Sequence, residues 1–197
     1  VLAIPGGSGL TATPSKIRRG VGWGVSIKNL MYSEGFDDFS TARCTVEDGR
    51  VSLKFATSEV GQGFVTLAPQ IARTVLGLDE VFIETIDTGI GSAGSTSASR
   101  QTWMSGGAVN GACKLVAINI VADVAKRRGL DPSTLQIQGT DIVDLTGNAV
   151  ESVISATKDK RFSETYEFHH QPTGELDENG QGDCHTAFAF VAHRAVV

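Results

Sequence analysis

Two stretches of the chain carry residue types suited to holding a polar ligand. The first is Ser58-Glu59-Val60-Gly61-Gln62-Gly63, which separates an alternating apolar pattern from a helical one. Its glycines let the backbone turn sharply and approach a bound group. The Gln62 amide offers a donor and an acceptor together, which suits a ligand with alternating polar edges. A helix starting after Gly63 would aim its first N–H groups and its positive dipole end at an anion. The plainer reading is a strand-to-helix turn. The second stretch runs from Thr88 to Thr102 and has almost no large side chains until Arg100. Consecutive backbone N–H groups in such a run can form an anion-binding concavity, and the Arg100 guanidinium can grip a phosphate through two N–H groups. The plainer reading is a helix cap at Ser99. A cap needs one hydroxyl, whereas this run has Thr88, Ser92, Ser95, Thr96, Ser97 and Ser99. No Gly-Lys-Ser/Thr follows, so it is not a Walker A loop.

Other residues point to structure more than chemistry. Cys113 sits on an apolar helical face and reads as core. Trp23 and Trp103 read as core aromatics, and His169-His170 as a solvated pair. Asp87, at a strand end, reads as fixing its own turn. No serine has a supported base, so no Ser-His-Asp arrangement is expected. The three cysteines, Cys44, Cys113 and Cys184, lack CxxC spacing, and the four histidines lack metal-ligand spacing. No metal-ligating side chain is therefore assigned, and a reducing, cytoplasmic setting is expected. The net charge is −5 with no basic stripe, which argues against nucleic acid. Lys126-Arg127-Arg128 falls where a helix C-terminus would favour positive charge. No apolar run reaches about 18 residues, so no membrane span is expected.

The elements that must position these residues follow from periodicity. Residues 21–30 read as a strand. Residues 40–47 and 51–57 alternate around Asp48-Gly49, a hairpin signal. Residues 64–76 repeat at helical spacing, with Pro69 inside and Gly77 just beyond; Pro69 predicts a kink or a nearby helix start. A strand at 81–86 follows, then the small-residue loop, then the longest helical pattern, from about Gln101 to Arg128. Residues 135–154 read as a hairpin around Gly147-Asn148, residues 156–161 as a short helix, and 164–168 and 184–193 as strands. The expected class is α+β: a mixed or antiparallel sheet with two main helices packed on one face. Residues 1–17, rich in Gly, Ser, Thr and Pro, read as a linker. Residues 18–197 read as one partial domain that ends inside a strand pattern, hence as a fragment.

Several of these residues carry a resemblance. Glu59-Val60-Gly61-Gln62-Gly63, then Thr66 and Gln70-Ile71-Ala72, is similar to the E-x-G-Q-G-x-x-T-x-x-x-Q-I-A signature of the xanthine dehydrogenase/aldehyde oxidase family. Asp87-Thr88 and the run Gly94 to Thr102 resemble its next cofactor segment, with Gly106-Gly107-Ala108-Val109 continuing at the expected spacing. Arg19-Gly20-Val21-Gly22 resembles the start of that domain, and Ala187–Ala192 a strand near its later part. The resemblance implies a molybdenum-cofactor-binding domain that holds a molybdopterin, in dinucleotide form, through Gly61, Gln62, Gly63, Ala98, Ser99, Arg100 and Gln101. It implies hydroxylation of a heteroaromatic or aldehyde carbon with oxygen from water. It further implies iron–sulfur and FAD partners in other domains or subunits, the remainder of the molybdenum subunit, a small-molecule substrate, and an oligomer. The family's Gly-Glu catalytic base and first Gly-Gln motif have no match here. No catalytic side chain is assigned, and the chain alone is expected to be inactive. The competing reading is a non-catalytic α+β binding or structural domain whose Gly-rich segments are only turns.

Overall fold

The structure, a computed structural model, describes residues 20–197 apart from 33, 34, 87, 172, 185 and 186. The expected linker at 1–17 and Asp87 lie outside the described residues. The chain divides into two units, Asn29–Ala187 and a smaller one whose described part is Gly20–Lys28 with Phe188–Val197.

The larger unit is built on a four-stranded sheet. Strands β2 (Phe39–Glu47) and β3 (Arg50–Phe55) form the hairpin expected from Asp48-Gly49, both of which take positive φ, 50° and 76°. That is the twist-matching turn which favours Gly second. Helix α1 (Phe64–Leu76) crosses over and returns the chain as β4 (Val81–Ile83), parallel to β3. Strand β8 (Arg161–His169) pairs antiparallel with the other edge of β2. Alternation sends Ala42, Cys44, Val46, Val51, Leu53 and Phe55 to one face, where all are buried. The opposite face is polar, and registered pairs bond across β2 and β8: Arg161 to Glu47 at 3.0 Å, Thr45 with Ser163 at 2.8 Å and Arg43 to Thr165 at 3.0 Å.

Two helices cover the apolar face. On α1, Phe64, Ala68, Ala72 and Leu76 recur every four residues and are buried, and the helix continues through the buried Pro69. Gly77 ends it in the left-handed conformation, donating to the Arg73 carbonyl at 2.9 Å. Helix α2 (Met104–Arg128) is long and apolar enough to cross a membrane by length and composition. Its apolarity has a different cause: it lies against α1, β2 and β8 and buries Ala108, Val109, Ala112, Cys113, Val116 and Ile120. Gly107 and Gly111 permit this approach. An added β-carbon would sit 2.7 Å from the Phe168 ring at the first and 2.1 Å from the Tyr166 ring at the second.

Beyond α2, β5 (Leu135–Gln138), β6 (Asp141–Asp144) and β7 (Ala149–Ser152) form a three-stranded meander. The sequence suggested a single hairpin here; the first turn, at Gly139-Thr140, has a weak signal, and only the positive φ of 58° at Gly139 marks it. The short helix α3 (Val153–Thr157) starts three residues earlier than expected, because the Ser152 hydroxyl accepts from the Ser155 N–H at 3.2 Å and caps it. Strand β8 is longer than expected, and β4 shorter.

The smaller unit is a two-stranded ribbon of β1 (Val21–Asn29) and β9 (Phe188–Val196). Gly20 and Val197 exchange both backbone hydrogen bonds, at 2.9 and 3.0 Å, which makes the pairing antiparallel. Trp23 is 71% exposed on this ribbon, with the Arg194 guanidinium 5.9 Å above its ring. Trp103 is also largely exposed. Neither tryptophan is the core aromatic expected.

Candidate functional site

The two stretches singled out above meet at one carbonyl. The Ser58 oxygen accepts from Gln62 Nε2 at 2.9 Å and from Thr96 Oγ1 at 3.0 Å. Each loop is otherwise shaped by one charged side chain.

In the first loop that side chain is Glu59. One carboxylate oxygen accepts from the N–H groups of Gly61, at 2.8 Å, and Gly63, at 3.0 Å, and the other from Val65 at 3.1 Å. These bonds hold the carboxyl below its usual pKa, led by the bonds from Gly63 and Val65. The Gly63 carbonyl accepts from Thr66 and Leu67. The start of α1 is thus satisfied from within, and the expected anion seat at that terminus is taken by Glu59 itself. Gly61 and Gly63 have φ of 100° and 87°, which only glycine adopts readily, and a β-carbon at either would meet open space. Their backbone is therefore uncovered. Gln62 is exposed; its Oε1 accepts from the Val60 N–H at 2.7 Å. With one bond at each end of the amide, half its capacity remains.

In the second loop the organising side chain is Arg100. It is fully buried, which the expectation of a free phosphate-binding arginine did not foresee. Nε donates to Asp38 Oδ2 at 2.6 Å, and Nη2 to Asp38 Oδ1 at 2.5 Å and the Phe39 carbonyl at 3.1 Å. Nη1 donates to the carbonyls of Ala93, at 2.6 Å, and Ser95, at 2.9 Å. A guanidinium has five N–H donors, and here all five are used within the protein. A β-carbon on Gly94 would lie 2.8–3.0 Å from the guanidinium, so the loop is wrapped closely around it. Ala98 and Ser99, just before it, both take φ of +51°, a left-handed conformation uncommon outside glycine. This turn replaces the expected cap: α2 starts at Met104 with no side-chain cap, not at Ser99 or Gln101.

Gln101 also points inward. Its Nε2 donates to the Ser95 carbonyl at 3.1 Å and to Thr96 Oγ1 at 3.3 Å, and its Oε1 accepts from the Ser105 hydroxyl. Ser105 in turn bonds Thr57 at 2.7 Å and Ser40 at 3.0 Å. This buried network ties both loops to β2 and to the end of β3. On the outer side, the Tyr32 hydroxyl meets Ser95 and Ser97, the latter at 2.7 Å. The serine bonds, Ser95 first, draw the phenol below its ordinary pKa. Tyr32, Phe36, Asp37 and Ser95 line a cleft of about 450 Å³ there. His169 stands between Asp37 and Glu167, 2.9 Å from each, and these carboxylates raise its pKa. His170 is buried and bonds the Phe36 carbonyl at 2.9 Å, so the two histidines are not the solvated pair expected.

Of the seven residues expected to hold a cofactor, Gly61, Gln62, Gly63, Ala98 and Ser99 lie at or near the surface, while Arg100 and Gln101 support them from within. Sequence reasoning missed Asp38, Tyr32 and Ser105, which have no local pattern. Among the described residues, no cluster of His, Cys, Asp or Glu is disposed to bind a metal. What the site offers is exposed backbone and hydroxyl groups on a buried hydrogen-bonded support. That suits the polar edges of a planar heterocycle and a phosphate.

Residues 9–197 match the profile of the molybdopterin cofactor-binding domain. The chain belongs to that family. The molybdopterin domain has the fold of molybdenum hydroxylases. It is similar to CO dehydrogenase from Oligotropha carboxidovorans at a TM-score of 0.65 and 17% identity, covering 90% of this chain and 23% of that one. It is similar to quinoline 2-oxidoreductase from Pseudomonas putida 86 at a TM-score of 0.58 and 18% identity, covering 90% and 24%. Aldehyde oxidoreductase from Desulfovibrio desulfuricans ATCC 27774 gives a TM-score of 0.51 at 20% identity, covering 91% and 18%. The molybdopterin domain thus spans about a quarter of the length of the first two chains. No curated protein matches it by sequence.

Proposed function

We propose that the molybdopterin domain holds the cofactor of a molybdenum hydroxylase through the Gly61-Gln62-Gly63 loop and the Ala98–Gln101 turn. The observation that carries this reading is the junction at Ser58, where the two motif-bearing loops share one carbonyl. The residues fit such a group. Gly61 and Gly63 leave room for close approach although their N–H groups serve Glu59, Gln62 retains a free donor and acceptor, and Ser95, Ser97 and Ser99 are exposed residues with hydroxyls. When bound, the cofactor supplies oxidation of a carbon beside nitrogen or oxygen, with water as the oxygen source. The protein's share is to bind and orient it. Gln62 would meet the polar edge of the ring system, and the 94–99 backbone would receive the phosphate.

Finer points belong to the same proposal. The cofactor is a dinucleotide, supported by the cleft beside Ser95, which leaves room for a further ring. Iron–sulfur clusters and FAD reside in partner domains or subunits of an oligomeric, xanthine dehydrogenase-like oxidoreductase that takes a small heteroaromatic or aldehyde substrate. The setting is a reducing cytoplasm, in keeping with the free Cys44, Cys113 and Cys184. The domain alone is inactive, because the Gly-Glu motif that carries the family's base has no match in this sequence. Turnover of purines or aldehydes by the isolated domain with a dye acceptor would contradict that last point. The decisive test of the site is a structure of the loaded subunit. Residues 89–101 should lie against a cofactor phosphate; a separation beyond about 10 Å, a Debye length at ~0.1 M salt, sinks the reading.

A further inference from the structure

We propose that Arg100, clamped by Asp38, is a positioning residue that moulds the cofactor-facing loop from inside and never touches the ligand. This rests on the reading of the two loops as the cofactor site. The stoichiometry is complete: five donors meet two carboxylate oxygens and the carbonyls of Phe39, Ala93 and Ser95. A phosphate has no donor left to claim. The guanidinium instead fixes the carbonyls on either side of Gly94, whose missing side chain leaves the space that it fills. It also pins the turn immediately before it. Ala98 and Ser99 hold successive left-handed conformations, and the Ala98 carbonyl is fastened by the Met31 N–H at 3.1 Å. Such backbone persists only where its surroundings over-determine it. The charge of Arg100 is cancelled by Asp38, so the loop presents its outer face without a net cation. The ligand's anionic part is met by backbone N–H and hydroxyl groups.

A point charge cannot substitute in this role. Lysine has three donors on a flexible stem and no planar fork. A direct phosphate contact, by contrast, would tolerate lysine and would be freed by loss of Asp38. The complete molybdenum subunit, assembled with its partners, separates these alternatives. Wild type, Arg100→Lys and Asp38→Asn are followed for loss of molybdenum over time, and for amide exchange in residues 93–101 against residues 108–125. Both variants should release molybdenum roughly tenfold faster, about the weight of one charge-assisted hydrogen bond. Exchange should rise in 93–101 and stay unchanged in 108–125. Retention by Arg100→Lys equal to wild type overturns the proposal, as does unchanged or slower release from Asp38→Asn, or unchanged exchange in the loop. If either variant fails to fold, Gly94→Ala takes its place. It displaces the guanidinium while keeping both charges, and the same split is expected; wild-type retention there is equally fatal. Wild type without molybdenum would remove the cofactor reading itself, whereas a loaded wild type with unaffected variants removes only the positioning role.

Discussion

Gln62 and His169 have effects that belong to single side chains. Half of the Gln62 amide's bonding capacity faces out, so Gln62→Ala should lower cofactor affinity in the full subunit by roughly ten- to a hundredfold, or about 1.5–3 kcal/mol. Stability should fall by no more than about 1 kcal/mol, since the bonds of this exposed amide with Ser58 and Val60 are open to solvent. Molybdenum content beside a thermal melt checks both parts. Asp37 and Glu167 raise the pKa of His169. The stabilisation from this contact is therefore full below the unfolded value of about 6.5 and fades as pH rises through the higher folded value. Titrating the ring by NMR in Asp37→Asn should show the pKa fall towards about 6.5; an unchanged value would clear Asp37 of the effect. At this scale the sequence was informative where chemistry is local. Gly61, Gln62 and Gly63 announce an exposed turn by type and spacing. Arg100 misled, because its partner Asp38 lies 62 residues away and only the fold reveals that the charge is spent.

At the scale of elements, two features set the frame. Glu59 caps α1, and its lowered pKa means that the cap is intact above about pH 4.3 and is lost as pH falls through the folded value. Acid unfolding of Glu59→Gln should consequently show a shallower pH dependence below pH ~4 than wild type; parallel curves would remove Glu59 from the acid response. The second feature is the close approach of α2 and β8. Alanine in a helix is ordinarily favoured over glycine by about 1 kcal/mol. At Gly111 the new methyl would meet the Tyr166 ring near its base, 2.1–2.6 Å away. Overpacking of about 1–3 kcal/mol should outweigh propensity, so Gly111→Ala destabilises. In a Tyr166→Ala background the same change should stabilise, and a double-mutant cycle by denaturant unfolding measures the reversal. Helices and hairpins with strong periodicity were legible in the residues alone: α1, α2 and the β2–β3 hairpin. Less so were the meander turn at Gly139 and the true start of α2. The former has a single glycine as its signal, and the latter follows a turn with Ala98 and Ser99 at positive φ, which no residue type there announces.

For the molecule as a whole, the β1–β9 ribbon is the telling part. A two-stranded ribbon is marginal in water, and this one leaves Trp23, Val25, Ile27 and Phe190 between 62% and 84% exposed. Apolar strands so uncovered invite pairing. The isolated domain should self-associate at micromolar concentration, and Val25→Lys with Phe190→Lys should suppress it. Light scattering decides, and a wild-type monomer would refute the idea. The ribbon's strands were visible in the sequence, and so was uncovered apolar surface on the later one, but the exposure of β1 was not. Apolar alternation reports a face meant for burial, and it does not say what buries it.

The shared carbonyl of Ser58 has a consequence for engineering. Recombining family members to alter cofactor preference invites the exchange of one Gly-rich segment at a time. A transplanted 93–101 segment lacking a hydroxyl at position 96 would leave Ser58 bonded on one side only, and a recipient lacking an acid at position 38 would strand a buried guanidinium. The smallest cassette that can travel without damage is therefore Thr57–Ser105 together with Asp38 and Ser40. Chimeras that part Arg100 from Asp38, or Gln101 from Ser105, should fold poorly, whatever the origin of the rest.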